Sequence, residues 1–370
     1  MYAVLFSGNA GEVEFAEVDL DGPGPGEVRV QIAATGVCHS DLHIIRNEWT
    51  LPVPMVLGHE GSGIVTELGA GVTELEVGDH VVLSWVAPCN ECRYCKSGHI
   101  ARCTVAMNLV APGGVLYDGT SRLHRGGERI YHYQGVSSFA EEAIVPASGA
   151  IRVRKDAPLD VLCLVGCAIA TGVGAVTNTA KVEKGATVAV IGCGGVGLSV
   201  VQGARMAGAE RIVAIDVQPH KTELARTLGA TEEIDASAGD PVAALRESLP
   251  DGADYVFDAI GKIATTEQAI AMLGMGGAAV VVGLPAAGAK ASFEPLALAE
   301  ADQRILGSNY GSVRPAIDFP ALVDQYMNGE LKIDELVSAR RPLAEAGAAL
   351  DELATGASLR TLLIPGRSQR

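Results

Sequence analysis

The stretch TVAVIGCGGVGLSVV, residues 187–201, decides the fold of the second half of the chain. Its first five residues are almost all apolar, which predicts a short strand buried on both faces. Glycines then stand at 192, 194 and 197, in the spacing G-x-G-x-x-G, ahead of a helix-like segment. Glycine here permits a tight turn, lets a pyrophosphate approach the backbone, and lets helix and strand pack closely. The motif alone has low specificity, because glycine-rich strand ends are common.

The sequence after this loop alternates between strand-like and helix-like segments. RIVAID, ADYVFDAIG and GAAVVVGL are short apolar runs, and HKTELARTLGA separates the first two with a helical pattern. Buried strands that alternate with helices are typical of an α/β protein with a parallel, doubly wound sheet.

Asp216 ends the strand RIVAID, nineteen residues beyond Gly197. A carboxylate at this distance can accept hydrogen bonds from both hydroxyls of an adenosine ribose, and it would repel a 2′-phosphate. The position therefore favours NAD over NADP. The alternative is that Asp216 caps the following helix, which Pro219 would start.

The sequence before the loop has a different texture. EVRVQIAATGV and DHVVLSWVA predict strands, and DGPGPGE predicts a turn between strands. After RILGSNYGS the chain returns to mixed, amphipathic sequence. We therefore expect two domains, the second inserted into the first.

Composition excludes several classes of protein. The 370 residues carry a net charge of −16 and are 48% apolar, which fits a globular protein and argues against a nucleic-acid partner. We find no run of 18 apolar residues and no signal peptide, so we expect no membrane partner and a cytoplasmic location.

Four of the eight cysteines lie in CNECRYCKSGHIARC, at 89, 92, 95 and 103. Four thiolates in one loop can form a closed tetrahedral zinc site, which is a structural site because no ligand position stays open. An iron–sulfur cluster is the main alternative and a disulfide pair is a weaker one, since nothing indicates an oxidising compartment.

A second candidate site starts in GVCHSDLHIIRNEWTLPVPMVLGHEGSG, residues 36–63. Catalytic zinc needs three protein ligands and an open position, which Cys38, His59 and Cys167 could supply. From composition alone this trio is a hypothesis, because a single cysteine is more often a small buried hydrophobe and a single histidine is more often a hydrogen-bonded core residue. We interpret the remaining cysteines, Cys163 and Cys193, as structural.

The order of motifs along the whole chain resembles the zinc-dependent medium-chain alcohol dehydrogenases, in the branch of animal-type alcohol dehydrogenases and thiol-dependent formaldehyde dehydrogenases. The motifs are GVCHSD, GHEGSGIV, the four-cysteine lobe, GCAIATGVGA, GCGGVGL and SLRTLLI. The resemblance implies a GroES-like, β-rich catalytic domain at 1–168 with a zinc lobe at about 88–104, a Rossmann domain at 169–309, and a return to the catalytic domain at 310–370.

The resemblance also implies roles for individual residues. Cys38, His59 and Cys167 would hold a catalytic zinc, with Glu60 behind the metal and Asp41 orienting His59. Ser40 would contact the alcohol oxygen, and His43 would end a proton relay that runs through Ser40 and the ribose hydroxyls. Eleven positions would contact NAD: His39, Thr171, Gly192, Gly194, Gly195, Val196, Gly197, Asp216, Lys221, Val282 and Arg360. Lys221 could instead be a solvated helix charge, and Arg360 a surface residue.

The activity that this implies is NAD-dependent oxidation of a primary aliphatic or aromatic alcohol, and the reverse reaction, by zinc-alkoxide formation and hydride transfer. Trp85 would line the substrate pocket, although core packing explains it equally well, and Asn309 would add polarity there. The glutathione-dependent relatives carry an arginine shortly after the last lobe cysteine, where this chain has Met107. That difference argues against glutathione, but not against another thiol such as mycothiol, as co-substrate of a formaldehyde dehydrogenase.

A non-catalytic protein on the same fold is a third hypothesis, although such a protein would need no zinc ligands. Relatives of this kind form dimers or tetramers, so we expect a homo-oligomer. GAAVVVGL could be the strand at the edge of the sheet that joins subunits, or an internal strand.

Overall fold

The computed structural model describes residues 1–366 and divides the chain into two compact units. One unit comprises Met1–Cys167 and the segment that begins at Arg314, and the other is Ala168–Val313. The last four residues of the expected 310–370 segment lie outside the described residues.

Residues 1–366 form nineteen strands. In chain order they are β1 (Tyr2–Phe6), β2 (Glu14–Glu17), β3 (Asp19–Leu20), β4 (Glu27–Gly36), β5 (Met55–Val56), β6 (Gly61–Leu68), β7 (His80–Leu83), β8 (Leu123–Arg125), β9 (Glu128–His132), β10 (Glu142–Pro146), β11 (Ala150–Arg152), β12 (Thr187–Ile191), β13 (Arg211–Asp216), β14 (Glu232–Asp235), β15 (Ala253–Asp258), β16 (Leu273–Val281), β17 (Arg304–Gly307), β18 (Val337–Pro342) and β19 (Arg360–Ile364).

Twelve α-helices lie among the same residues. They are α1 (His39–Ile45), α2 (Arg93–Lys96), α3 (Ala111–Gly113), α4 (Leu159–Leu162), α5 (Ala168–Gly174), α6 (Gly195–Ala207), α7 (Pro219–Leu228), α8 (Pro241–Ser248), α9 (Ile263–Ala271), α10 (Pro295–Glu300), α11 (Pro315–Met327) and α12 (Ala346–Ala354). Short 3₁₀ segments occupy Ile100–Arg102, Ala147–Gly149, Cys163–Gly166, Asn309–Ser312, Asp334–Leu336 and Leu343–Glu345, and π-helical segments occupy Ala106–Val110 and Ala175–Ala180.

The first unit is built from two largely antiparallel sheets. One has the strand order β2-β1-β5-β9-β8-β3, and the other has the order β11-β7-β6-β4-β19-β18 with β10 also paired to β4. Along β4 the buried side chains Val28, Val30 and Ile32 alternate with half-buried polar ones and join one hydrophobic cluster. Strand β6 approaches β4 so closely that a Cβ at Gly63 would lie 2.1 Å from the carbonyl oxygen of Gln31. Glycine is therefore required there.

The second unit is a six-stranded parallel sheet with the order β14-β13-β12-β15-β16-β17. The predicted doubly wound α/β fold is thus confirmed. The order reverses between β12 and β15, and ligands of such sheets bind at the carboxyl ends of the strands beside this reversal. GAAVVVGL lies largely in β16 and is internal, because β16 pairs with both β15 and β17. The alternative that it forms the edge of the sheet is therefore wrong, and the two edge strands are β14 and β17.

None of the helices within residues 1–366 is by itself long and apolar enough to cross a membrane. Leu159–Gly166 and Ala168–Ala180 meet that test only when they are taken together as a bent pair.

Candidate metal centres and dinucleotide site

Cys38, His59 and Cys167 converge in the first unit. Their candidate ligand atoms all lie within 4.8 Å of one another, and all three residues are buried. Cys38 immediately precedes α1, His59 lies just before β6, and Cys167 follows the 3₁₀ segment Cys163–Gly166. Two sulfur donors and one nitrogen donor form a set that suits zinc and leaves a fourth position open.

Asp41 orients two of these residues. One of its oxygens accepts from the backbone N–H of Cys38 at 3.0 Å, and the other lies 3.5 Å from Nδ1 of His59. The Asp41 side chain is fully buried. Tyr133 packs its ring edge-on to His59, with 5.3 Å between the ring centroids. Tyr133 could not be predicted from the sequence, because no local pattern connects it to a histidine that lies more than seventy positions earlier.

The electrostatics of the trio favour the thiolate form of Cys38. A hydrogen bond from the Cys167 thiol, together with the charge of Arg360, holds the pKa of Cys38 well below its usual range. The same hydrogen bond, with burial, raises the pKa of Cys167, so the first proton leaves Cys38. Burial alone would lower the pKa of His59, but the Asp41 carboxylate outweighs it and raises that pKa. A metal cation that is bound by the sulfurs of both Cys38 and Cys167 would displace the proton that these two sulfurs share.

Glu60 and Arg360 form a buried ion pair beside the trio. Nη1 of Arg360 lies 3.5 Å from Oε2 of Glu60 and donates to the carbonyl of Val37 at 3.1 Å. The side chains are 4% and 0% exposed, so the structure contradicts the alternative that Arg360 is a surface residue. A Cβ at Gly36 would lie 2.0 Å from the Glu60 carboxylate, which explains the glycine.

Ser40 and His43 lie three residues apart on α1, a spacing that puts two side chains on the same face of a helix. The hydroxyl of Ser40 is 3.8 Å from the sulfur of Cys38, and its carbonyl accepts from the hydroxyl of Tyr133 at 3.1 Å. Burial raises the pKa of Tyr133, which keeps that hydroxyl a donor. His39 is exposed on the first turn of the same helix.

The four lobe cysteines form the second cluster. Their sulfur atoms all lie within 4.8 Å of one another. Backbone N–H groups point at three of the sulfurs: that of Cys89 donates to Cys103 at 3.4 Å, that of Cys92 to Cys89 at 3.3 Å, and that of Cys95 to Cys92 at 3.5 Å. The last of these lowers the pKa of Cys92 to about 5. All eight cysteines are free thiols, so the disulfide alternative is wrong.

The glycine loop of the second unit leaves room for a ligand. Gly192 has a φ of 93°, and a Cβ at Gly197 would lie 1.7 Å from the carbonyl oxygen of Gly192, so the turn requires both glycines. Gly194 precedes α6 with an ordinary φ, and a Cβ there would meet no atom within 4 Å. The protein itself does not require glycine at 194, whereas a pyrophosphate seated on the start of α6 would. Gly195 and Val196 form the first turn of that helix.

Asp216 does not cap the following helix, because the N-cap of α7 is Gln218 and no side chain accepts a cap hydrogen bond there, so the alternative of a helix cap is wrong. Its carboxylate accepts from the backbone N–H of Cys193 at 2.7 Å and from that of Gln218 at 2.9 Å, and it lines a cavity of about 390 Å³. A carboxylate has about four acceptor positions, so Asp216 fixes the glycine loop and can still accept from a ribose. Lys221 is 8% exposed, which contradicts the alternative of a solvated helix charge.

The remaining predicted positions occupy separate places. Thr171 is buried in α5, and the backbone N–H of Val282 donates to the carbonyl of Asp258 at 3.0 Å, at the carboxyl end of the sheet. Asn309 starts a 3₁₀ segment and is half-buried. Trp85 packs partly buried against the hydrophobic cluster of β4, β6 and β7, as its core-packing interpretation expects.

Comparison with known proteins agrees with this geometry. Residues 24–155 match the alcohol dehydrogenase GroES-like domain, and residues 195–327 match the zinc-binding dehydrogenase domain. The chain belongs to the zinc-dependent medium-chain alcohol dehydrogenases. It falls in the branch of the animal-type alcohol dehydrogenases and thiol-dependent formaldehyde dehydrogenases.

Three similar proteins illustrate the match. An S-(hydroxymethyl)glutathione dehydrogenase from Synechocystis sp. is 39% identical over 95% of this chain and 96% of that protein. The solved structure of an alcohol dehydrogenase zinc-binding domain protein from Burkholderia ambifaria is 37% identical, with a TM-score of 0.94 over 98% of both chains. The structure of benzyl alcohol dehydrogenase from Acinetobacter calcoaceticus is 34% identical, with a TM-score of 0.93 over 99% of both chains.

This medium-chain dehydrogenase is therefore an oxidoreductase whose cofactors are NAD and two zinc ions. Cys₂His is the donor set known for catalytic zinc in alcohol dehydrogenases, and Cys₄ is typical of structural zinc. The hypothesis of a non-catalytic protein is wrong, and so is the iron–sulfur alternative for the lobe.

Proposed function

We propose that the enzyme oxidises a primary aliphatic or aromatic alcohol to its aldehyde with NAD, and catalyses the reverse reaction. The observation that supports this most is the convergence of two thiols and one imidazole, all buried, with an acidic side chain orienting the imidazole. The overall change is R–CH₂OH + NAD⁺ → R–CHO + NADH + H⁺. A hydride leaves the alcohol carbon with its electron pair, and the hydroxyl proton leaves to water.

Cys38, His59 and Cys167 would hold the catalytic zinc, and the lobe cysteines Cys89, Cys92, Cys95 and Cys103 would hold the structural one. The catalytic ion, when bound, supplies a Lewis acid that makes the alcohol proton easier to remove. NAD, when bound, accepts the hydride.

The chain's own residues prepare the site for this chemistry. Asp41 fixes the ring of His59 and the backbone before α1. Glu60 and Arg360 place a buried pair of opposite charges beside the two cysteines of the site. Because the pair is shielded from water, its charges stay in fixed positions relative to those sulfurs. Ser40 would accept the alcohol proton and His43 would pass it to solvent, since the two share one face of α1.

In the second unit, the glycine loop with Gly194 at its tip would hold the pyrophosphate, and Asp216 with Lys221 would hold the adenosine ribose. The further contacts proposed for NAD are His39, Thr171, Gly195, Val196, Val282 and Arg360. Trp85 and Asn309 are our candidates for substrate selection.

A thiol-dependent formaldehyde dehydrogenase is the second candidate. The Synechocystis relative is named as an S-(hydroxymethyl)glutathione dehydrogenase, at 39% identity. Against glutathione itself stands Met107, a half-buried apolar side chain at the position where those relatives carry arginine. A different low-molecular-weight thiol, such as mycothiol, remains compatible with an apolar side chain there.

The deciding experiment is NADH formation at 340 nm with the zinc-loaded enzyme. The substrates are ethanol, hexanol, benzyl alcohol, and formaldehyde alone or with glutathione or mycothiol. Turnover of simple alcohols without any thiol supports the proposal. Turnover of formaldehyde only in the presence of a thiol assigns the enzyme to the second candidate. A matched M107R variant tests the argument about glutathione, because it should gain activity with the glutathione adduct and not with ethanol.

We further propose a homodimer or homotetramer that is joined along β17. Among the described residues β17 pairs only with β16, so its outer edge can pair with a second copy. Ile305 (38% exposed) lies in β17, and three more exposed apolar side chains lie in or next to β16 and α10, namely Met275 (75%), Leu296 (62%) and Phe293 (47%). Ile305→Lys should convert the oligomer to monomers in light scattering, and an unchanged mass would contradict this interface.

The absence of disulfides among the described cysteines supports a reducing compartment, and we propose the cytoplasm.

A further inference from the structure

The chain after α1 folds back over the last turn of that helix. Helix α1 ends at Ile45, and Asn47 adopts a left-handed φ of 55°. The backbone N–H of Glu48 consequently reaches the carbonyl of His43 at 2.9 Å. The side-chain amide of Asn47 donates to the carbonyl of Gly8 at 3.2 Å, which ties this turn to the N-terminal segment. The turn thus places the Glu48 side chain beside the His43 ring.

The imidazole of His43 is held at one nitrogen and at one face. Its Nδ1 is in hydrogen-bond contact with Oε2 of Glu48. The ring of Trp49 stacks on it, with 4.4 Å between centroids and 20° between planes. The His43 side chain is still 22% exposed and that of Glu48 is 35% exposed. With Nδ1 engaged and the ring plane fixed, Nε2 is the nitrogen that remains to take up a proton.

We infer that Glu48 is the positioning residue of His43. By accepting from Nδ1–H it selects the tautomer whose Nε2 carries a lone pair. Trp49 keeps the ring plane in place. The inference rests on the proposed function, because it deepens the role of His43 as the end of the proton relay. The proton that leaves the alcohol by way of Ser40 binds to Nε2 of His43 and is then released to water. This proton path involves no oxidation or reduction.

The structure supplies a matched control in the same unit. Nε2 of His124 contacts Oδ1 of Asp21 at 2.9 Å, and these side chains are 31% and 52% exposed. This is also a histidine–carboxylate pair near the surface. It joins His124 in β8 to Asp21, the residue directly after β3, and it contains none of the proposed site residues. Asp21→Ala therefore removes a comparable contact without touching the relay.

The first test is the ¹⁵N spectrum of the histidine rings in the zinc-loaded protein. We expect neutral His43 to carry its proton on Nδ1, and Glu48→Ala to move it toward Nε2. Glu48→Gln should keep the tautomer, because an amide oxygen still accepts from Nδ1–H. Asp21→Ala should change the His124 signals alone. An unchanged His43 spectrum in Glu48→Ala overturns the inference, whether or not the enzyme oxidises any alcohol.

The second test is the rate of hydride transfer in a single turnover. Glu48→Ala should lower it about tenfold, which is less than the roughly 10²-fold to 10⁴-fold of complete general acid–base catalysis. KM should stay within about twofold, since Glu48 is not among the residues proposed to contact the substrate. Glu48→Asp, or formate added to Glu48→Ala, should restore part of the rate, and Asp21→Ala should retain all of it. A wild-type rate in Glu48→Ala overturns the inference. If the wild-type enzyme oxidises no alcohol, the proposed function fails, while the ring spectrum still decides the role of Glu48.

Discussion

Replacing Arg360 by methionine should destabilise the first unit by several kcal/mol, because it leaves the Glu60 carboxylate buried without its partner. The charges are separated by 3.5 Å, and the side chains are 4% and 0% exposed. Coulomb's law with an effective dielectric constant of about 20 gives about 5 kcal/mol for that separation. This agrees with the roughly 3–5 kcal/mol lost when one partner of a buried pair is removed.

The assay is thermal unfolding of the zinc-loaded protein, followed by circular dichroism. For a unit of this size 1 kcal/mol corresponds to about 2–4 °C, so Arg360→Met should lower the unfolding temperature by about 10 °C. The double variant Arg360→Met/Glu60→Gln should recover most of that loss, since no uncompensated charge then remains buried.

An exposed ion pair in the same unit provides the control. Arg340 and Asp160 approach more closely, at 2.8 Å, but their side chains are 46% and 38% exposed. Arg340→Met should therefore cost at most about 1 kcal/mol. Burial would not set the size of the effect if the unfolding temperatures of Arg340→Met and Arg360→Met fell equally, or if that of Arg360→Met fell by less than about 2 °C.

Three further predictions concern the lobe, the cofactor and the acid side of the stability profile. Cys95→Ser should leave one zinc per chain instead of two by mass spectrometry of the metal, because a Cys₄ site needs every thiolate; retention of two would contradict the lobe assignment. Asp216→Ala should weaken NAD binding about 10- to 100-fold in fluorescence titration, as expected for the loss of hydrogen bonds to a charged acceptor. The ratio of NAD affinity to NADP affinity should also decrease. Burial lowers the pKa of His132 to about 3, below its unfolded value of about 6.5, so acid favours the unfolded chain. Protonation of His132 in the unfolded chain should therefore lower the free energy of unfolding by about 2 kcal/mol between pH 7.5 and pH 5. Between pH 7.5 and pH 5 the unfolding temperature of His132→Gln should therefore fall less than that of the wild type. Equal falls in the two proteins would exclude His132 as the cause.

Much of the second unit was accessible from sequence because its signals are local. The strand TVAVI, the glycines and Asp216 lie within thirty residues, and the parallel sheet follows from short apolar runs. The position of β16 was not accessible in this way. Its composition suits an edge strand or an internal strand, and only the pairing with β17 decides between them.

The candidate metal site shows the opposite limit. Sequence proposes Cys38 and His59 from one stretch, but Cys167 is more than a hundred residues away, and only the tertiary fold brings the donors within 4.8 Å. Tyr133 and the charge pair of Glu60 with Arg360 also depend on long-range packing. Glu48 is different, because it lies only five residues after His43. It was missed because a helix pattern does not reveal the left-handed turn at Asn47 that folds the chain back.

We propose that Cys38, His59 and Cys167 hold the zinc at which alcohol is oxidised. The most direct measurement compares zinc content and NADH formation in Cys38→Ser with those in Cys163→Ser, a buried cysteine outside both clusters. For Cys38→Ser we expect one zinc per chain and no NADH formation, with NAD binding retained. For Cys163→Ser we expect two zincs per chain and near-normal activity. Two zincs and undiminished activity in Cys38→Ser would contradict the proposal.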